Sequence, residues 1–111
     1  MRPQLTRSLV LETRVATPDG AGGVIETWSP LGALWADVQA RTGREVSRAA
    51  AAFSKAAYRI TVRAAPVGSQ SRPEPDQRFR EGGRVFRIEA VAEADASGRF
   101  LTCFAQEEVG G

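Results

Sequence analysis

Apolar and polar residues alternate one for one along most of this chain, in short runs separated by glycine, proline and aspartate. That period of two is the pattern of half-buried β-strands. In the first run Leu9, Leu11 and Val15 share one face, with Val10, Glu12 and Arg14 on the other. Val24-Ile25-Glu26-Thr27-Trp28 is β-branched and aromatic and is expected to stop at Ser29-Pro30. Leu34, Ala36, Val38 and Ala40 then alternate with Trp35, Asp37, Gln39 and Arg41. Tyr58, Ile60, Val62 and Ala64 alternate with Arg59, Thr61, Arg63 and Ala65, and Phe86, Ile88 and Ala90 with Arg87 and Glu89. The run from Phe100 to Gln106 is apolar on both faces, which predicts a central strand or one covered on both sides.

The turns predict antiparallel pairing. Gly82-Gly83 joins "RFRE" to "RVFRIEAV", and a glycine pair readily supplies the positive φ of a tight hairpin. Asp95-Ala96-Ser97-Gly98 is a good turn before the last run, and Asp19 to Gly23 turns the chain after the first. Three hairpins without a βαβ rhythm predict a mainly β fold, a small antiparallel barrel or sandwich, as a single domain over residues 1–111.

Two segments break the alternation. In "RTGREVSRAAAAFSKAAY", Thr42 and Glu45 have the spacing of a capping box, and Ala49–Ala52 favour helix. Val46, Ala50, Phe53 and Ala57 recur at helical spacing. Gly43 weakens such a helix by about 1 kcal/mol relative to alanine. Residues 42–56 are therefore expected to form one short helix or a long loop insertion. The stretch 65–77, "APVGSQSRPEPDQ", has three prolines, two serines and a glycine and is expected to be a flexible loop too polar to carry a core.

Composition narrows the chemistry. Apolar residues at 42% and charged residues at 25% fit a folded domain with one modest core. The chain has no histidine, one cysteine (Cys103) and one lysine (Lys55). That removes an intrachain disulfide, Cys-rich zinc sites and the usual Ser-His or Cys-His catalysis. No acidic group has the spacing of a calcium loop. The expectation is a protein that is not an enzyme and has no cofactor and no metal. No apolar run approaches the length of a membrane span, so no membrane partner is expected. Glu12 and Arg14 interrupt the N-terminal apolar run, which does not fit a secretory leader; a cytosolic start is expected.

Charge is unevenly distributed behind a net +2. Residues 1–40 carry three basic and four acidic groups, residues 41–87 eleven against four, and residues 88–111 one against five. A basic middle attracts a polyanion, and an acidic end attracts a neighbouring copy's basic surface. A solvated surface with uneven blocks explains the same numbers.

Gly20-Ala21-Gly22-Gly23 superficially matches a dinucleotide loop. That loop needs G-x-G-x-x-G between a strand and a helix, whereas here the third position is Ile25 and a β-branched run follows. A hairpin turn is the better reading. Arg59 and Arg63, with Arg84 and Arg87 near in sequence, make a candidate nucleic-acid face. Single-strand binding also needs exposed aromatics for stacking, and Tyr58 and Phe86 alternate onto the opposite face; nonspecific contact with a duplex survives that objection. Trp35 lies on an otherwise polar face, which suits either a protein contact or coverage by its own chain, such as residues 43–56.

Taken in order, "LETRVATPDGAGGVIETWSPLGALWADVQARTGRE", "AAYRITVRAAP" and "GGRVFRIEAVAEADASGRFLTCFAQEE" resemble the phage head–tail adaptor family. These are the small head-closure, or stopper, proteins of tailed phages and gene transfer agents. The matching positions are Asp19 to Gly23, Trp28, Trp35-Ala36, Gly43 with Glu45, Tyr58-Arg59-Ile60 with Arg63, Gly83 to Ile88, and the strand holding Cys103. The 65–77 loop is longer than its usual counterpart. The resemblance implies a barrel-like, non-enzymatic protein. It would form a ring of twelve copies below the portal–adaptor complex, close the DNA-filled head and offer a platform to tail-terminator and tail proteins. It implies a lumen-facing gate in residues 42–56. There Arg44, Arg48 and Lys55 either hold the phosphates of packaged double-stranded DNA or lie on a segment whose alanines let copies pack together. Trp35, Arg41, Arg59 and Arg63 are the candidate subunit or partner interface. The expected location is the particle neck, after assembly in the bacterial cytoplasm. Two alternatives remain: a small nucleic-acid-binding barrel acting alone, and a tail-terminator ring protein of the same particle.

Overall fold

The computed structural model describes residues 2–41 and 57–108. The expected helix or loop of 42–56, and with it Arg44, Arg48 and Lys55, lies outside the described residues. Six strands follow in chain order: β1 (Arg7–Pro18), β2 (Val24–Ala40), β3 (Ala57–Arg63), β4 (Arg78–Glu81), β5 (Arg84–Glu93) and β6 (Phe100–Glu107). All pair antiparallel, in the order β1-β2-β3-β6-β5-β4, and β4 pairs back with β1 to close a barrel. The barrel-or-sandwich alternative thus resolves to a closed sheet.

Side chains alternate across the sheet, so each strand contributes every second residue to the interior. Leu9 and Leu11 of β1, Ala36 of β2, Ile60 and Val62 of β3, Phe79 of β4, Phe86 and Ile88 of β5, and Leu101, Cys103 and Ala105 of β6 form one buried cluster. β6 lies between β3 and β5, and Thr102 on its outer face is buried as well, in keeping with a central strand.

Two bulges change the expected alternation. β2 is one continuous strand through Ser29-Pro30 instead of stopping there. Leu31 is an extra residue between the pairs Leu11↔Gly32 and Glu12↔Pro30, and a proline beside a bulge is tolerated because the ladder is already interrupted. In β5, Glu89 is extra between Ile88↔Ala105 and Ala90↔Phe104. Ala90 therefore points outward and is exposed, and Val91 takes the inward place.

The turns are built from side chains. Oδ1 of Asp19 accepts from the backbone N–H of Ala21 at 2.7 Å and of Gly23 at 3.0 Å, while Gly20 and Gly22 take φ of 82° and 88°. The amides of the glycine loop are thus held by the chain's own carboxylate, as a hairpin reading requires. Asp95 likewise accepts from Arg99 N and Ser97 Oγ. The 65–77 loop is a run of turns in which Arg72 Nη1 donates to Ala65 O at 2.9 Å. Its Pro73 is fully buried, so this loop does contribute one residue to the interior.

One mouth of the barrel is capped by side-chain ion pairs. The inward-facing residues at the ends of five strands are Arg7, Tyr58, Glu81, Arg84 and Glu107. Arg7 pairs with Glu81 through Nε and Nη2. Arg84 grips Glu107 through Nε at 2.8 Å and Nη2 at 3.1 Å, and also donates to Tyr58 Oη at 3.1 Å. Each carboxyl is held below its ordinary range, Glu81 by the hydrogen bond from Arg7 and Glu107 by that from Arg84. Arg84 faces this mouth, so it does not join Arg59 and Arg63 on a common face.

Candidate assembly interface

The outer face of β2, β3, β6 and β5 carries the sequence-derived interface residues. Register aligns Gln39, Arg59, Phe104 and Ala90 in one row, and Asp37, Thr61, Thr102 and Ala92 in the next. Arg63 pairs with Phe100 at the end of the sheet. The Arg41 guanidinium lies 5.2 Å from the Phe104 ring centroid, and that of Arg63 lies 5.9 Å from Phe100. Aromatic rings therefore do stand on the arginine face, contrary to the sequence expectation, because β6 is apolar on both sides. They lie beneath guanidinium groups.

The N-terminal segment lies on the same face, with Gln4 N donating to Asp37 Oδ2 at 3.0 Å. Together with the sheet it frames a depression of about 400 Å³ lined by Arg2, Pro3, Leu5, Arg63, Arg99 and Phe100. A smaller adjoining hollow is lined by Leu5, Trp35 and Arg63. Trp35 is 61% exposed. The fold thus brings Trp35 and Arg63 together at one end of the face. Arg41 and Arg59 lie at Phe104, farther along it.

A second surface was not recognised in the sequence. β1 meets β4 only through Val10, Leu11 and Glu12. From Thr13 to Pro18 it pairs with β2 alone, against Val24 to Ser29. The two strands form an arm that leaves the barrel at the end opposite the ion-closed mouth. One face of the arm continues the interior side of β1: Thr13, Val15, Thr17, Ile25 and Thr27. Val15 does share the face of Leu9 and Leu11, yet it is exposed because the barrel ends before it. The other face carries Arg14, Glu26 and Trp28; Arg14 lies 3.8 Å from Glu26 and 5.4 Å from the Trp28 ring centroid.

The root of the arm is fixed by a buried carboxylate. Glu12 is 5% exposed and accepts from Arg78 Nε at 2.7 Å and Arg80 Nε at 3.0 Å. Burial acts to raise its pKa, but hydrogen bonds from Arg78 and Arg80 outweigh that and hold it below the ordinary range. The Arg78 guanidinium also stacks 4.2 Å from the Trp28 centroid, joining barrel to arm. The clue in the sequence was an acid in an apolar run with two arginines on a later strand; only the pairing of β1 with β4 reveals it.

Among the described residues, no group of His, Cys, Asp and Glu has the makings of a metal site, and no helix is long and apolar enough to cross a membrane. Cys103 is buried, and burial pushes its thiol up to about 12. The chemistry offered is that of surfaces: an arginine–aromatic face and a projecting arm.

The family model for phage head completion proteins matches residues 1–108. The chain belongs to that family. Its role is structural, in closing the head of a phage-like particle. A chain in the virion of a native gene transfer agent particle is 50% identical, covers 98% of this chain and 100% of its own, and superposes with a TM-score of 0.78. A protein of Shigella flexneri 2a, solved in solution, has the same fold, with a TM-score of 0.71 at 23% identity over 96% of each chain. Among curated proteins none matches. Of the readings raised by the sequence, a head-closure protein is the one the family match supports.

Proposed function

We propose that this head completion protein acts as a non-enzymatic stopper. It forms a ring, of twelve copies on the family resemblance, below the portal–adaptor complex, retains packaged double-stranded DNA and presents a platform to tail proteins. The observation that carries this is the full-length 50% identity to a chain of a gene transfer agent virion. In support, the subunit has two dissimilar surfaces, a basic aromatic-lined face and a projecting arm, as a head-to-tail ring contact needs. Trp35, Arg41, Arg59 and Arg63 belong to the first of these.

The gate is assigned to residues 42–56. Their flanks are pinned side by side, with Arg41 N donating to Ala57 O at 2.8 Å, at the end of the barrel closed by Arg7, Glu81, Arg84 and Glu107. Within this segment Arg44, Arg48 and Lys55 supply three cations, which bind phosphates without reading sequence. Replacing all three by alanine is expected to leave the isolated protein folded and to make filled particles lose DNA, read as nuclease-accessible DNA after packaging. Full retention by particles whose rings carry the triple variant rejects the gating role.

A further inference from the structure

The arm and the depression beside Trp35 are complementary, yet Trp35 and the arm's Ile25 are on one continuous strand. Ile25 and Trp35 are ten positions apart in β2, roughly 30 Å at the rise of an extended chain. A subunit cannot fold its own arm onto its own Trp35. We infer, on the basis of the ring reading above, that each arm lies on the Trp35 surface of the next copy. Val15 and Ile25 pack there against Trp35 and Leu5, and Asp19 at the tip meets Arg63 and Arg99.

Two observations lead to this occupant. The large apolar side chains left exposed among the described residues are Val15, Val24 and Ile25 on the arm, Trp35 beside the depression, and Val67; Val15, Ile25 and Trp35, three of the five, lie on the two surfaces, and Val24 is on the arm's other face. The charges also match. The arm carries Arg14, Asp19 and Glu26; Arg14 and Glu26 face one another at 3.8 Å, which leaves the tip acidic. The depression is lined by Arg2, Arg63 and Arg99, with Asp95 3.8 Å from Arg99 as the facing acid. Such a contact is directional, arm to depression, as a head-to-tail ring that closes by rotation requires.

The size of the contact sets its behaviour. Six residues on each of two strands make a face about 20 Å long and 10 Å wide. The total area buried is then about 400–600 Å², short of the roughly 1,000 Å² that a stable free interface needs. This contact alone therefore does not hold free copies together, and the arm engages when neighbours are held side by side on the particle, where effective concentration is high.

The test uses the full chain in assembled particles. Thr17→Cys on the arm is combined with Ala33→Cys, which lines the hollow beside Trp35 and Arg63, and particles are treated with a short bismaleimide. Cys103 does not compete, being buried with its thiol pushed up to about 12. The double variant is expected to give a ladder of covalent multimers and each single variant only monomer. Val15→Asp with Ile25→Asp, at positions 38% and 53% exposed, is expected to keep the free protein's Tm within about 2 °C. The same pair is expected to lower incorporation into particles by about tenfold or more, because a carboxylate is driven into an apolar contact. Necks with a normal ring by electron microscopy, no ladder and normal incorporation of the aspartate variant overturn the arm contact and leave the ring intact. Native necks lacking a ring overturn the ring reading, and the arm contact with it.

Discussion

Glu12 offers a direct measurement of how firmly the arm is attached. It is the one carboxylate buried among the described residues, at the last β1 position paired with β4. Glu12→Gln keeps the shape and removes the charge, so both arginines lose an ionic acceptor and one faces an amide N–H. Hydrogen bonds to charged groups contribute about 1.5–3 kcal/mol each. The side chains of Arg78 and Arg80 are 19% and 41% exposed, so water replaces part of what they lose. The net cost is about 2 kcal/mol, or roughly 8 °C in Tm for a domain of this size. Glu12→Ala, which also opens a gap, costs about 3 kcal/mol.

The pH dependence distinguishes an ionic contribution from packing. Because Glu12 is held below its ordinary value in the fold, its stabilisation is fully present above the unfolded carboxyl pKa of about 4.3. It is lost as pH falls through the folded value. Thermal unfolding of the wild type and Glu12→Gln, followed by circular dichroism, is expected to differ most near neutral pH and to converge in acid. Arg78→Ala is expected to cost more than Arg80→Ala, since Arg78 also stacks on Trp28. A Gln variant as stable as wild type at neutral pH, or a gap that stays constant into acid, refutes the reasoning.

Two further outcomes test the barrel itself. Gly82→Ala is expected to destabilise by about 1 kcal/mol in urea unfolding, because φ is 59° there and an L side chain is strained in that region. Gly83→Ala, where a new Cβ meets open space and φ is not positive, is the matched control, and equal effects at the two positions contradict the turn geometry. Cys103 is expected to resist alkylation at mildly alkaline pH until the protein unfolds, since its thiol is buried and pushed up to about 12; modification at the rate of a free thiol rules out the placement of β6.

The period-two pattern was enough to find the strands, because a closed sheet imposes one inside and one outside on each of them. Tyr58, Ile60 and Val62 show this most simply: their expected face is the one packed on the core. Pattern alone failed where the sheet departs from regularity. Ser29-Pro30 looks like a stop, and only pairing with β1 shows that Leu31 bulges and the strand continues. Ala90 was assigned inward because nothing in "FRIEAVAE" marks Glu89 as the extra residue. Of the candidate interface residues, Trp35 is legible as an aromatic on a polar face, and its approach to Arg63 follows from two adjacent strands. The arm was not legible. Val15 and Ile25 look like core positions, and their exposure depends on how short β4 is: it spans four residues, Arg78–Glu81, so the barrel ends before β1 does.

The same closure bears on how such a subunit can hold DNA. The barrel interior is filled by Leu9, Leu11, Phe79, Phe86, Ile88 and Leu101, and one mouth is shut by the Arg7–Glu81 and Arg84–Glu107 pairs. A six-stranded barrel has room for its own side chains and no more, so no strand of DNA passes through a subunit. On the proposed ring reading, the passage for DNA lies between copies, on an axis that the isolated chain does not contain. What the chain does supply is a closed barrel with different equipment at its two ends. The flanks of residues 42–56, Arg41 and Ala57, lie side by side near the ion-closed mouth, and the arm projects from the other end. If the arm sets the spacing of neighbours, it also sets the bore of the proposed ring, at which Arg44, Arg48 and Lys55 are proposed to meet the duplex. Shortening the arm would then change DNA retention without touching a residue of the gate.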